Sequence, residues 1–148
     1  MLDKPALPAS VRNEASPPDE APSITVAEKW QGAVTPGSGF VAVPMSLLRL
    51  QSKYKLTPTD MLVLINLLAH WWDPTRTVFP RTTTIATRMG VDKRTIQRCT
   101  TKLIKAGLLT RLYLPDGKRA FSFDSLVSRL AQDIPIAYGF QAKETHEG

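Results

Sequence analysis

The sequence predicts a mainly α-helical domain that carries one β-hairpin. Apolar residues recur at helical spacing through residues 45–72. Two further helical patterns, inside residues 82–106, are joined by a very short connection at Gly90. Alternating segments then flank Asp116-Gly117, a strong turn signal for a hairpin.

Composition allows such a domain. The chain has 148 residues, of which 43% are hydrophobic and 22% charged. That suits one soluble globular domain with tails and excludes a wholly disordered chain. One cysteine, Cys99, excludes an internal disulfide scaffold, and with His70 and His146 as the sole histidines a Cys/His zinc site is not expected. No cofactor is expected. The start MLDKPALPAS lacks an apolar stretch, and the apolar run Met61 to Trp72 is too short to span a bilayer. A cytoplasmic location, with no membrane partner, is therefore expected.

Residues 1–36 read as a Pro-rich, mostly disordered tail, with a short helix around 24–31 in which Trp30 would be the anchor. TPGSG (35–39) is a linker or turn. The domain is placed at 37–133, and 134–148 reads as a polar C-terminal tail. Within the domain, FVAVP is a short extended piece, because Pro44 biases Val43 away from helix. Leu47, Leu48 and Leu50 mark a first helix. Thr57-Pro58-Thr59-Asp60 starts a second: Thr caps, Pro suits the first turn, and Asp60 favours the positive end of the dipole. That helix is apolar on nearly all sides, from Met61 to about Trp72, and is expected at the centre of the domain. VFP (78–80) offers a short strand. Thr82 to Thr84 offer caps for a third helix ending at Gly90. Asp92 caps a fourth, running to Ala106 with Gly107 as its stop. LLTRLYL and KRAFSFD form the hairpin, and a last helix covers Ser125 to about Asp133.

The charge is concentrated. Residues 81–119 carry ten bases (Arg81, Arg88, Lys93, Arg94, Arg98, Lys102, Lys105, Arg111, Lys118, Arg119) against Asp92 and Asp116. The formal charge of the whole chain is +6, so this block exceeds the entire excess. Such a basic block is the electrostatic footprint of a polyanion site.

The third and fourth helices are joined so tightly that they must cross steeply. Ala86 is small where the helices press together, Gly90 can take the positive φ of the reversal, and Val91, Ile96 and Cys99 supply the apolar wedge. This is the helix-turn-helix pattern. On the fourth helix, Ile96, Cys99, Thr100, Leu103 and Gly107 fall on one side, with Ile104 at its edge. Arg94, Arg98, Thr101 and Lys105 fall opposite, with Gln97 and Lys102 on the flanks.

A cationic outer face suits a recognition helix, residues 93–106, lying in the major groove of duplex DNA. Arg can fork to guanine and Gln can pair with adenine. Arg94, Thr95, Gln97 and Arg98 are the expected base readers. Lys93 and Thr101 join them on the contact surface, and Lys102 and Lys105 are expected at phosphates. The hairpin, 108–123, carries Arg111, Lys118 and Arg119 and reads as a wing that contacts the backbone. Cys99 reads as a small core residue, and His70 as part of the end of the core helix. No catalytic set stands out, so an enzyme is not expected.

The segments GFVAVPMSLL (39–48), LTPTDMLVLINLLAHWW (56–72) and FPRTTTIATRMGVDKRTIQRCTTKLIKAGLL (79–109) resemble the bacterial winged helix-turn-helix domains of plasmid- and phage-associated proteins. The resemblance covers roughly residues 30–133 and implies a DNA-binding winged helix. It puts Arg94, Thr95, Gln97 and Arg98 at the family's "RT-x-QR" positions. The group includes N-terminal domains of replication initiators, which continue into a second domain for which 148 residues leave no room. A transcriptional regulator is therefore expected first. The alternatives are a replication initiator or accessory replication protein, and a winged helix used as a protein-interaction module. A homodimer is one expectation, since one winged helix reads one half-site.

Overall fold

The computed structural model describes residues 25–71, 78 and 81–139. Residues 1–24 of the expected N-terminal tail and residues 140–148 of the expected C-terminal tail lie outside the described residues. The chain divides into a short unit, Met1–Phe40, and the main unit, Val41–Gly148, a boundary slightly later than expected.

In the short unit, helix α1 (Val26–Trp30) is followed by a 3-10 turn, Gln31–Ala33. Thr25 and Glu28 form a reciprocal capping box, which explains how so short a helix starts. Trp30 is exposed, so it anchors nothing within its own unit. Thr35 and Ser38 hydrogen-bond to each other across the TPGSG turn.

The main unit contains α2 (Met45–Leu50), α3 (Pro58–Leu68), α4 (Thr82–Met89) and α5 (Lys93–Lys105). Strands β1 (Thr110–Tyr113) and β2 (Arg119–Ser122) follow, then α6 (Asp124–Gln132) and α7 (Ile134–Ala137). Helix α3 starts as expected, with Pro58 in the first turn. The Thr57 hydroxyl accepts from the Asp60 amide at 3.0 Å, and the Asp60 carboxylate accepts from the Thr57 amide at 2.9 Å. Val63, Leu64 and Leu67 are buried at the centre, and α3 packs on both α4 and α5. The helix is less uniformly buried than its composition implied. Leu62 is exposed, and α3 ends at Leu68 rather than near Trp72. Trp71 still stacks on buried Phe123, at 5.1 Å between ring centroids.

The cap expected from Thr82 to Thr84 is corrected. Arg81 is the N-cap residue and provides no side-chain bond, and the threonines lie inside the first turn. The stop is as expected. Gly90 takes the left-handed conformation (φ 70°), the Val91 amide donates to Ala86 at 3.0 Å, and the Gly90 amide donates to Thr87. This is a Schellman stop, which satisfies the Ala86 and Thr87 carbonyls and reverses the chain. Gly107 (φ 78°) ends α5 in the same way, with the Leu108 amide on Leu103.

The hairpin pairs antiparallel with Arg111 opposite Phe121 and Tyr113 opposite Arg119. Gly117 (φ 87°) sits in its turn, where the Asp116 carboxylate accepts from the Lys118 amide at 3.0 Å. Val78 adds a third edge by exchanging two 2.9 Å bonds with Phe121, which is the described part of the expected VFP strand. The fold is thus a mainly α winged helix-turn-helix. Among the described residues, no helix is long and apolar enough to cross a membrane.

The ordered domain runs past the expected boundary at 133. Helix α7 contacts α2 and α6, and the Arg49 guanidinium lies 4.3 Å above the Tyr138 ring. Before it, Asp133 accepts from the Tyr54 hydroxyl at 2.8 Å and from Arg129 Nε at 3.2 Å. Burial and the Asp133 hydrogen bond push the Tyr54 hydroxyl up to about 12. Arg129 also donates to the Ala106 carbonyl at 3.0 Å, so a residue of α6 closes the end of α5. Arg129→Ala should lower the unfolding free energy by about 1–2 kcal/mol, the lower part of the range for charged hydrogen bonds, because the side chain is partly solvated. Urea denaturation measures it, and an unchanged midpoint would mean that the bridge adds nothing to stability.

Candidate nucleic-acid interface

Helix α5 has two chemically distinct faces. Ile96, Cys99, Thr100 and Leu103 are buried, and the Thr100 hydroxyl is satisfied by the Gln97 carbonyl at 2.9 Å. Lys93, Arg94, Gln97, Arg98, Thr101 and Lys105 are exposed. The helix wheel puts Arg94, Arg98, Thr101 and Lys105 on this side, with Gln97 on its flank. Among the described residues, Lys93, Arg94, Arg98 and Lys105 form no ion pair. An open depression of about 640 Å3 runs along this face, with Arg94, Gln97, Arg98, Thr101 and Lys105 in its lining.

The N-terminus of α5 is closed by its own cap. Asp92 accepts from the Thr95 amide at 2.9 Å and from the Thr95 hydroxyl at 2.7 Å. The same two bonds hold the Asp92 carboxyl below its usual range, with Arg98 and Arg94 adding to the effect. Thr95 is half-buried and its hydroxyl proton is committed to the cap, so a base could meet it only as an acceptor. Arg98 reaches back weakly to that oxygen, at 3.4 Å.

Lys102 departs from the expected picture. Its ammonium lies 2.5 Å from the carboxylate of Asp60, on α3, rather than standing free at the surface. Asp60 is only 4% exposed. A carboxylate buried so deeply needs a counter-charge, and the flexible lysine stem supplies it. Sequence reasoning placed Asp60 at the helix dipole and missed this pairing. The available signal was an acid on an otherwise apolar face, but its partner lies 42 residues away. Cys99 adjoins the same pair. Burial and a hydrogen bond to Asp60 push its thiol up to about 11, so it is a neutral core group. His70 is held below its usual range by burial and by Arg88, and it too is neutral.

The three cations of the wing differ in exposure. Lys118 and Arg119 are exposed at the hairpin. Arg111 is half-buried, with its guanidinium 5.8 Å above the Phe121 ring and its Nε buried. Its pairing opposite Phe121 turns it against the hairpin instead of leaving it to extend.

The Asp60 cluster has a consequence for acid stability. Burial raises the Asp60 pKa, but bonds from Lys102 and Thr57 outweigh it and hold the carboxyl below its ordinary 3.8. A carboxyl depressed in this way stabilises the fold fully above the unfolded value, and the contribution fades as pH falls through the folded one. Asp60→Asn should therefore make stability less sensitive to pH below about 4. Thermal midpoints of wild type and variant over that acid range test it. Parallel curves would show that Asp60 does not drive the acid loss.

No curated protein matches the chain. A solved structure from the thermoacidophilic archaeon Sulfolobus tokodaii is 20% identical, with a TM-score of 0.47 over 68% of this chain and 95% of that one. A possible transcriptional regulator from Methanosarcina mazei Go1 is 19% identical, with a TM-score of 0.43 over 67% of this chain and 83% of that one. Residues 54–109, which contain α3, α4 and α5, match the family described as a helix-turn-helix domain.

Proposed function

We propose that the protein binds duplex DNA sequence-specifically and acts as a transcriptional regulator, with α5 in the major groove and the wing on the adjacent backbone. The observation that carries this reading is the outer face of α5: Arg94, Arg98 and Lys105, without an ion pair among the described residues, interleaved with Gln97 and Thr101 on a helix held from behind. Arg94, Gln97 and Arg98 lie in its first two turns, where side chains reach base edges. Lys93 and Lys105 at the ends, and Lys118 and Arg119 on the wing, suit phosphates. The large exposed apolar residues of the main unit, such as Met45, Leu62 and Ile136, lie on other elements, which favours DNA over a protein partner for this face. A homodimer over two half-sites and a cytoplasmic location belong to the same reading.

A duplex selected from a randomised pool, and a scrambled version of it, provide the test. If about six phosphates are neutralised, log K should fall with log salt at a slope of about −5. Arg98→Ala should cost about 1–3 kcal/mol on the selected duplex, relax the preference at one base position and spare the scrambled duplex. Lys105→Ala should weaken both duplexes alike and make the slope shallower by about one. A wild-type slope near zero would overturn the DNA reading. Equal losses on both duplexes for Arg98→Ala would make Arg98 a phosphate contact and move the reading face elsewhere.

A further inference from the structure

The cation count of α5 depends on a residue of another helix. Lys102 lies on the lip of the depression, four residues after Arg98 and three before Lys105, so its stem could carry an ammonium outward beside theirs. It points instead to Asp60. Asp60 is unable to follow the lysine out. Its Oδ2 also accepts the Thr57 amide at 2.9 Å, and its own amide donates to the Thr57 hydroxyl, so the capping box of α3 fixes it. The lysine comes to the carboxylate, although its own side chain is still 44% exposed.

We propose that Asp60 is a positioning residue that withholds Lys102 from DNA phosphates and so sets the sequence-independent part of the affinity. The inference rests on the DNA-binding reading above. An ammonium neutralised by a fixed carboxylate displaces no counterion when DNA binds, whereas a freed one adds about 0.9 to the salt slope. Removing the Asp60 charge without changing its shape should therefore strengthen binding, which is the opposite of what loss of a merely structural residue would do. The gain should appear on matched and scrambled duplexes alike, because a phosphate contact carries no sequence information.

The experiment compares full-length wild type, Asp60→Asn, Lys102→Met and the double variant on both duplexes, across about 50 to 200 mM salt. Circular dichroism confirms that each is folded. Asp60→Asn should bind both duplexes about three- to fivefold tighter near physiological salt, with a slope steeper by about one. Lys102→Met and the double variant should keep the wild-type slope. If Asp60→Asn does not fold, the double variant decides, since it buries no unpaired charge. A wild-type slope in it supports the proposal, and a slope shallower by about one overturns it, because Lys102 would then already contact phosphate. Weaker binding by a folded Asp60→Asn also overturns it. Wild-type binding with either contrary result leaves the DNA reading standing, whereas no wild-type binding at low salt overturns both.

Discussion

Helix α5 can present a cationic face because it is fastened along its length from behind and at both ends. Asp92 closes its first turn, and the Schellman turn at Gly107 together with Arg129 closes its last. Between them, Ile96, Cys99 and Leu103 are sealed in the core, and Asp60 holds Lys102 from α3. These contacts come from α3, α6 and the turn after α4. The angle at which α5 leaves that turn is set where Gly90 adopts the left-handed conformation, which costs other residues about 1–2 kcal/mol. A side chain at Gly90 would meet no neighbour within 4 Å, so the demand for glycine there comes from the backbone and not from crowding.

The energetics divide accordingly. Burial of Leu47, Leu50, Leu64, Leu67, Ile85, Leu103 and Phe123 supplies the main favourable term, since each large apolar side chain removed from water is worth about 1.5–3 kcal/mol. The polar contacts add less and do something else. Tyr54, Arg129, Asp133 and the Ala106 carbonyl join the end of α2, helix α6 and the end of α5 in one network. Hydrophobic burial has no direction, whereas hydrogen bonds of this kind require a particular distance and angle between those elements.

What the sequence made legible was local. Thr57-Pro58, Gly90, Asp92, Asp116-Gly117 and Gly107 each act within a few residues of themselves, and each stands where its chemistry predicted. The two faces of α5 followed from helical periodicity. What stayed hidden depends on tertiary neighbours. The partner of Lys102 is 42 residues away, and the bond from Arg129 to Ala106 spans 23. The exposure of Leu62 could not be read from an all-apolar helix, because composition does not say which side the other elements cover. The threonines at 82–84 are good caps by type, yet the helix begins one residue earlier than a Thr82 cap requires. Ile134-Pro135 looked like the start of a tail. The proline instead fits the first turn of α7, where its missing amide costs nothing.

The electrostatics of the outer face of α5 are thus set partly by the inner face. Side-chain type alone gives the helix Lys93, Arg94, Arg98, Lys102 and Lys105. The core subtracts one of these through Asp60, and the hairpin turns Arg111 against Phe121. The first subtraction comes from a buried carboxylate that needs a counter-charge more than the surface needs another cation. Desolvating a carboxylate costs several kcal/mol unless an opposite charge reaches it, whereas a solvated lysine loses little by turning inward. The cations left exposed, with no ion pair among the described residues, are Lys93, Arg94, Arg98 and Lys105 on α5, with Lys118 and Arg119 on the hairpin. A basic block in a sequence is therefore an upper bound on a binding face, and the acids of the core decide how much of it remains.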